Sequence, residues 1–192
     1  MIDLVSLFFL AFIMEMVDNG FGGGFGTILS PLLVILGYNP RVIVPGILVS
    51  EMISGLWGGS WHIRYKNVNF RVVGLTLCGS LVAMGLATYV TGEHLSPSLL
   101  KYVISIFAVV MGIFVVIRSY LVKKLEHTQN RHHPMWFSIL GAFIGYQKGT
   151  SGGNYGPFSV TGYMVLGLSA ATAIGTTTIA EGIACALGVA MY

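Results

Sequence analysis

The most constraining feature of the sequence is a series of long apolar runs that carry almost no charge. Between Arg71 and Lys101 the only Asp, Glu, Lys or Arg is Glu93, and after Lys148 it is Glu181. The chain is 55% hydrophobic and 9% charged, whereas a soluble domain has roughly 25% charged residues. A membrane-spanning helix needs about 20 apolar residues. We therefore predict an all-α polytopic membrane protein, and the composition argues against a soluble enzyme, a nucleic-acid binder or a disordered chain.

Glycine, proline and charge divide the runs into about seven or eight membrane segments. Two of these, 25–37 and 157–167, are too short to cross a membrane alone, and each follows a glycine-rich break. Irregular backbone at membrane depth is tolerated only where it is buried in protein or lines a wet cavity. We therefore expect both breaks in the protein interior. The predicted helices are 3–18, 25–37, 42–61, 71–91, 98–122, 135–149, 157–167 and 171–191.

An internal duplication relates the two breaks. The glycines match at an offset of 129 residues and, after a one-residue insertion, the later positions match at 130. We predict a first repeat over 1–125, which includes a cytoplasmic loop at 62–71, a basic cytoplasmic linker over 126–134 and an incomplete second repeat over 135–192. Two helices are missing from the second copy, which predicts either a fragment or a short form that dimerises. The matched pairs are Gly20 with Gly149, Gly23 with Gly152, Gly24 with Gly153, Gly26 with Gly156 and Glu51 with Glu181.

Charge distribution predicts the orientation in the membrane. The positive-inside rule makes the basic segments 62–71 and 118–134 cytoplasmic in a multi-pass cell (inner) membrane protein, and it places residues 92–97 outside. If both halves of each broken segment cross, the repeats have five helices and opposite orientation. If each broken segment crosses once, they have four helices and run parallel. We favour the inverted form, a common transporter plan. The basic residues are Arg64, Lys66, Arg71, Arg118, Lys123, Lys124 and Arg131.

No metal site and no cofactor are predicted. His127, His132 and His133 belong to a solvated connector, and we interpret Cys78 and Cys185 as small buried hydrophobic residues. The N-terminal segment has no basic n-region and no cleavage site, so it is interpreted as a retained membrane helix.

The breaks are candidate anion sites. A glycine break exposes backbone N–H groups at the positive end of the following half-helix. Lys148, beside the second break, is the candidate cation for pairing with an anion. The alternatives are that the glycines only permit close helix packing and that Lys148 snorkels to the headgroups. The predicted substrate-binding residues are Gly22, Gly23, Gly24, Thr27, Lys148, Thr150, Ser151, Gly152, Gly153 and Asn154.

Two acids inside predicted spans are the candidates for proton coupling. An ionised acid at the centre of a spanning helix costs roughly 2.5 to 3.5 kcal/mol, so Glu51 and Glu181 are expected to be protonated or paired. An acid that gains and loses a proton there supplies what proton coupling requires. The alternative is a neutral glutamate that makes one interhelical hydrogen bond. Glu15 and Asp18, just before the first break, are alternatively assigned to an interface.

Residues 20–40 (GFGGGFGTILSPLLVILGYNP), followed by an apolar helix and a basic loop, resemble the sulfite exporter TauE/SafE family of membrane proteins. The second copy is similar to the second family signature, but it reads SGGNYGP where a plainer glycine triplet is expected. The resemblance implies proton-coupled transport of small anions, among them sulfite and C2 organosulfonates. It also implies that Gly22, Gly23, Gly24, Gly152 and Gly153 face the substrate.

We therefore predict a transporter of small anions, with its site near the membrane midplane. Its predicted partners are the anionic substrate, protons and the lipid bilayer, with a homodimer as a further possibility and no nucleic acid. The alternatives are a passive anion channel and a non-transporting membrane subunit or fragment. We predict no enzymatic activity, because no His lies inside a predicted span to act with a serine nucleophile.

Overall fold

The structure is a computed structural model that describes residues 4–125 and 133–192. Within these residues the chain is helical and contains no strand, so the predicted all-α membrane class is confirmed. Most of the predicted linker, with His127, Arg131 and His132, lies outside the described residues. The helices are α1 (Leu4–Phe21), α2 (Phe25–Ile35), α3 (Pro40–Arg64), α4 (Phe70–Tyr89), α5 (Pro97–Leu125), α6 (Met135–Ser151), α7 (Tyr155–Val165) and α8 (Ala170–Met191), with a π-helical turn at Val90–His94.

Helix lengths separate the spanning helices from the half-helices. In the part of the chain that the structure describes, α3, α4, α5 and α8 are long and apolar enough to cross a membrane. Asn39, Asn69 and Ser169 cap α3, α4 and α8 by accepting a backbone N–H two or three residues ahead. In contrast, α2 and α7 have 11 residues each, about 16 Å of helix. Each therefore reaches only partway across the bilayer.

The second half of the chain repeats the first. Helices α2 and α7 begin at Phe25 and Tyr155, and Gly22 and Gly152 share a φ of 73° at the breaks. The spacing is thus 130 residues at the breaks as well. The sequence comparison had matched Gly23 with Gly152 at 129, and the shared backbone conformation shifts this match by one residue.

Helices α3 and α8 form the centre of the molecule and run antiparallel. Gly55 lies against the backbone of Gly182, and near the other end of the contact His62 lies against Gly175. Residue numbers thus rise along α3 as they fall along α8. Because α8 is the repeat of α3, the two repeats have opposite orientation, as the inverted alternative predicted.

Each broken segment turns back on itself as a hairpin. In the second, the rings of Phe137 and Tyr163 lie 5.9 Å apart and those of Phe143 and Phe158 lie 5.1 Å apart. This order makes α6 and α7 antiparallel. The start of α6 and the end of α7 line one cavity together with Arg71. The second hairpin therefore opens on the face of the basic α3–α4 loop.

The first hairpin opens on the opposite face. Leu7 near the start of α1 and Leu33 near the end of α2 belong to one apolar cluster with Leu95. The Nη2 of Arg41, just after α2, donates a hydrogen bond to the Leu95 carbonyl at 3.1 Å. Each repeat thus contributes a hairpin that enters from its own side. The prediction that both halves cross is corrected: a half-helix of 11 residues is too short to do so.

Two smaller expectations are also corrected. Cys78 is exposed, whereas Cys185 is buried as predicted, and both are free thiols. Cys78 lies on an outward face of α4, where a small apolar side chain is stable against lipid. Helix α5 continues to Leu125, so Arg118, Lys123 and Lys124 belong to a helix rather than to a loop. Lysine and leucine are good helix formers, and a helix continues readily past the apolar core.

Candidate functional site

The site lies where the two glycine breaks cross. Gly23 lies against Gly156, and Gly26 lies against Gly153, with no room for a Cβ at any of the four positions. Adding 130 to one member of each pair gives a residue of the other pair, so these contacts follow the inverted symmetry. Side chains join the breaks: the Ser30 hydroxyl donates to the Ser151 carbonyl at 2.6 Å. The glycines thus allow the two backbones to approach closely.

A buried ion cluster lies beside this crossing. The Lys148 ammonium donates to Oε2 of Glu51 and, at 2.7 Å, to Oε1 of Glu181. The three residues are 0%, 3% and 5% exposed, respectively. They come from three helices, α6, α3 and α8. The snorkelling alternative for Lys148 is thus excluded in this conformation, and the alternative of an isolated glutamate is excluded for both acids.

The N-terminus of α2 is occupied by carboxylates of the chain itself. The backbone N–H of Gly26 donates to Oε1 of Glu51 at 3.2 Å, and that of Phe25 donates to Oδ1 of Asp18 at 2.9 Å. An N-terminal helix end with exposed N–H groups attracts negative charge. The anion-binding capacity predicted for the first break is therefore present, and it is filled by Asp18 and Glu51.

The three glycines of the first break shape the backbone. Gly22, Gly23 and Gly24 all have positive φ, at 73°, 145° and 149°. The N–H groups of Gly22 and Gly23 donate to the carbonyl of Asp18, which closes α1. These glycines build the turn, and the side chain of Thr27 accepts a hydrogen bond from the backbone N–H of Asn154 at 3.1 Å.

At the second break, most of the predicted donors are satisfied internally. The hydroxyls of Thr150 and Ser151 donate to carbonyls one turn back, each at 2.8 Å. Ser151 Oγ also accepts from the N–H of Gly153 at 3.4 Å, and Gly152 ends α6 with φ at 73°. Asn154 is buried, and its Oδ1 has no partner among the described residues. Asn154 is therefore the side chain here with unused hydrogen-bonding capacity.

Sequence reasoning missed the pairing of Lys148 with both glutamates. It also missed that Lys148 and Asp18 occupy equivalent positions: the N–H of Gly22 donates to the Asp18 carbonyl and that of Gly152 to the Lys148 carbonyl. A signal was present, because Lys148 is the only Lys or Arg after Arg131. A lone cation in an apolar run is expected to find an acid. The interface alternative for Glu15 is also corrected, since its carboxylate accepts from the Ser54 hydroxyl of α3.

Comparisons with known proteins agree with this architecture. The family model described as sulfite exporter TauE/SafE matches residues 7–192. The probable membrane transporter protein YjnA of Bacillus subtilis is 27% identical over 168 residues, which are 81% of this chain and 65% of the relative. The probable membrane transporter protein YtnM of the same organism is 29% identical over 185 residues, 93% of this chain and 60% of the relative. The chain thus spans less than two thirds of the length of these relatives. No solved structure matches it.

Proposed function

The chain belongs to the sulfite exporter TauE/SafE family, and on that premise we propose that it acts as a proton-coupled carrier of a small anion, such as sulfite or an organosulfonate. The observation that carries the proposal is the buried Lys148 between Glu51 and Glu181 at the crossing of the two breaks. Both relatives are named as membrane transporters. The multi-pass helical fold is consistent with that activity.

Charge balance explains the coupling. With all three groups ionised, the cluster carries one net negative charge, and a charge at membrane depth costs several kcal/mol unless it is compensated. An anion that pairs with Lys148 adds negative charge beside two acids. Protonation of a glutamate offsets that charge. Anion binding and proton binding are therefore expected to occur together.

Inverted symmetry explains how the site reaches both sides. The first hairpin opens on the face of residues 92–97 and the second on the basic face. Each break thus connects the cluster with one side of the membrane. We propose that the two repeats rock against each other around the α3–α8 contact, so that the anion is released alternately to either side.

Flux into proteoliposomes tests this function. Purified protein is reconstituted, and uptake of labelled sulfite and sulfoacetate is measured with and without an imposed pH gradient. We expect the gradient to drive uptake of at least one of the two anions. Lys148→Gln should abolish uptake, whereas Lys101→Gln, in a different helix, should retain it.

The other outcomes identify the alternatives. Uptake that ignores the pH gradient but still needs Lys148 indicates a passive anion channel. No uptake of either anion by folded protein indicates a non-transporting membrane subunit, and this result contradicts the proposed function.

A further inference from the structure

The position of the Glu51 carboxylate is the observation that goes furthest beyond the proposed transport. One of its oxygens accepts from the N–H of Gly26 at the start of α2, and the other accepts from the ammonium of Lys148. A helix N-terminus and a buried cation are the two donor types that bind oxyanions in proteins. Here they converge on a single carboxylate, which is itself an oxyanion.

Glu181 is placed differently, although it is the repeat counterpart of Glu51. It contacts the same ammonium at 2.7 Å, but no backbone N–H is found for its carboxylate among the described residues. Inverted symmetry therefore breaks at this point. Glu51 alone bridges Lys148 and the end of a broken helix.

We infer that Glu51 is a tethered stand-in for the transported oxyanion, and that the anion binds by displacing it from Lys148 and Gly26. This inference rests on the proposed function and specifies its binding step. A proton from water adds to the Glu51 carboxylate, which gives a neutral carboxyl that no longer competes for the two donors. The anion then places one oxygen on the Lys148 ammonium and another on the Gly26 N–H.

Every element packed around Glu51 contributes to this exchange. A second acid and a neutral thiol line the site, so loss of the Glu51 negative charge also relieves repulsion with its neighbours. The Cys185 sulfur lies 3.8 Å from Oε2 of Glu51. The titratable and charged groups that face Glu51 are Asp18 on α1, Lys148 on α6, and Glu181 and Cys185 on α8.

Competition between an anion and a carboxylate gives a specific pH dependence. One proton is taken up for each anion bound, so apparent affinity weakens as pH rises. Above the pH at which Glu51 loses its proton, the apparent Kd should rise about tenfold per pH unit. A glutamine at position 51 neither ionises nor competes as an anion, and binding should then become independent of pH.

Equilibrium binding of methanesulfonate tests the inference, because a sulfonate stays ionised throughout the range used. Kd is measured on the full chain in nanodiscs between about pH 5 and about pH 8. We expect wild-type binding to weaken steeply with pH, and Glu51→Gln to bind at high pH as tightly as wild type does at low pH. Glu181→Gln is the matched control, with the same change on the same lysine, and should retain a pH dependence.

Infrared difference spectroscopy on the wild type gives a second measurement that needs no folded variant. Addition of methanesulfonate should produce the C=O stretch of a newly protonated carboxyl. A wild-type pH slope retained in Glu51→Gln, or the absence of that infrared band, overturns the inference while leaving an anion carrier. Absence of binding to the wild type at every pH overturns both the inference and the proposed function.

Discussion

Lys148 determines whether the interior of the protein is stable as well as whether it binds an anion. Its ammonium is fully buried and compensates two carboxylates. Removing one partner of a buried ion pair typically costs about 3 to 5 kcal/mol, because it leaves an uncompensated charge. We therefore predict that Lys148→Gln markedly lowers the melting temperature of the purified protein near neutral pH.

Neutralising the acids should reverse this loss. The triple variant with glutamine at positions 51, 148 and 181 contains no charge in the cluster, and we expect it to recover most of the melting temperature. Lys101→Gln, which lies outside the cluster, should change it little. A Lys148→Gln protein as stable as wild type would show that the glutamates are not ionised in the absence of the anion.

The sequence predicted each member of this cluster but not their contact. Glu51, Lys148 and Glu181 are conspicuous because each is a charge inside an apolar run. Their meeting depends on the antiparallel pairing of α3 with α8 and on the return of the second hairpin. Neither is encoded in local spacing. The contact between Glu51 and Gly26 was hidden for the same reason, since a backbone N–H has no sequence signal of its own.

At the level of the helices, the crossing of the breaks depends on glycines that have no space for a side chain. Gly26 lies in α2, and a Cβ there would meet the backbone of Gly152 and Gly153 and, at 2.9 Å, the Glu51 carboxylate. Overpacking of this kind typically costs about 1 to 3 kcal/mol. We predict that Gly26→Ala lowers the melting temperature and weakens methanesulfonate binding, because α2 must shift away from Glu51.

Gly46→Ala is the matched control. Gly46 is also a helical glycine, in α3, but a Cβ there would have open space around it. Alanine is favoured over glycine in a helix by about 0.5 to 1 kcal/mol, so this variant should be as stable as wild type or slightly more so. Equal loss of stability in both variants would contradict a steric role for Gly26.

Helix positions were predicted within a few residues from apolar runs, Gly and Pro, but helix directions were not. Segment 157–167 was predicted as a short helix, and the structure has it as Tyr155–Val165. Apolar periodicity is the same whether a half-helix continues across the membrane or returns. The return of α7 along α6 is determined by ring contacts between residues such as Phe143 and Phe158, which only the fold brings together.

For the whole molecule, the hairpins determine which loops share a side of the membrane. Because α7 returns along α6, the α7–α8 connection should lie on the same side as the basic α3–α4 loop and opposite the α4–α5 connection. A segment that crossed once would carry Ser169 to the side of Ser96 instead. The positive-inside rule makes the basic side cytoplasmic. The location of Ser169 therefore distinguishes inverted repeats from parallel ones in a cell.

Cysteine labelling measures this location with two matched substitutions. Ser96→Cys and Ser169→Cys are near-isosteric, and both replace serines that accept a backbone N–H at the start of a helix. Each is made in a Cys78→Ala background, so that the exposed native thiol does not react. We expect a membrane-impermeant maleimide to label residue 96 in intact cells and residue 169 only after permeabilisation, as it should label a cysteine at position 66. Labelling of residues 96 and 169 from the same side would contradict the inverted arrangement, and with it the proposal that each break connects the ion cluster with a different side of the membrane.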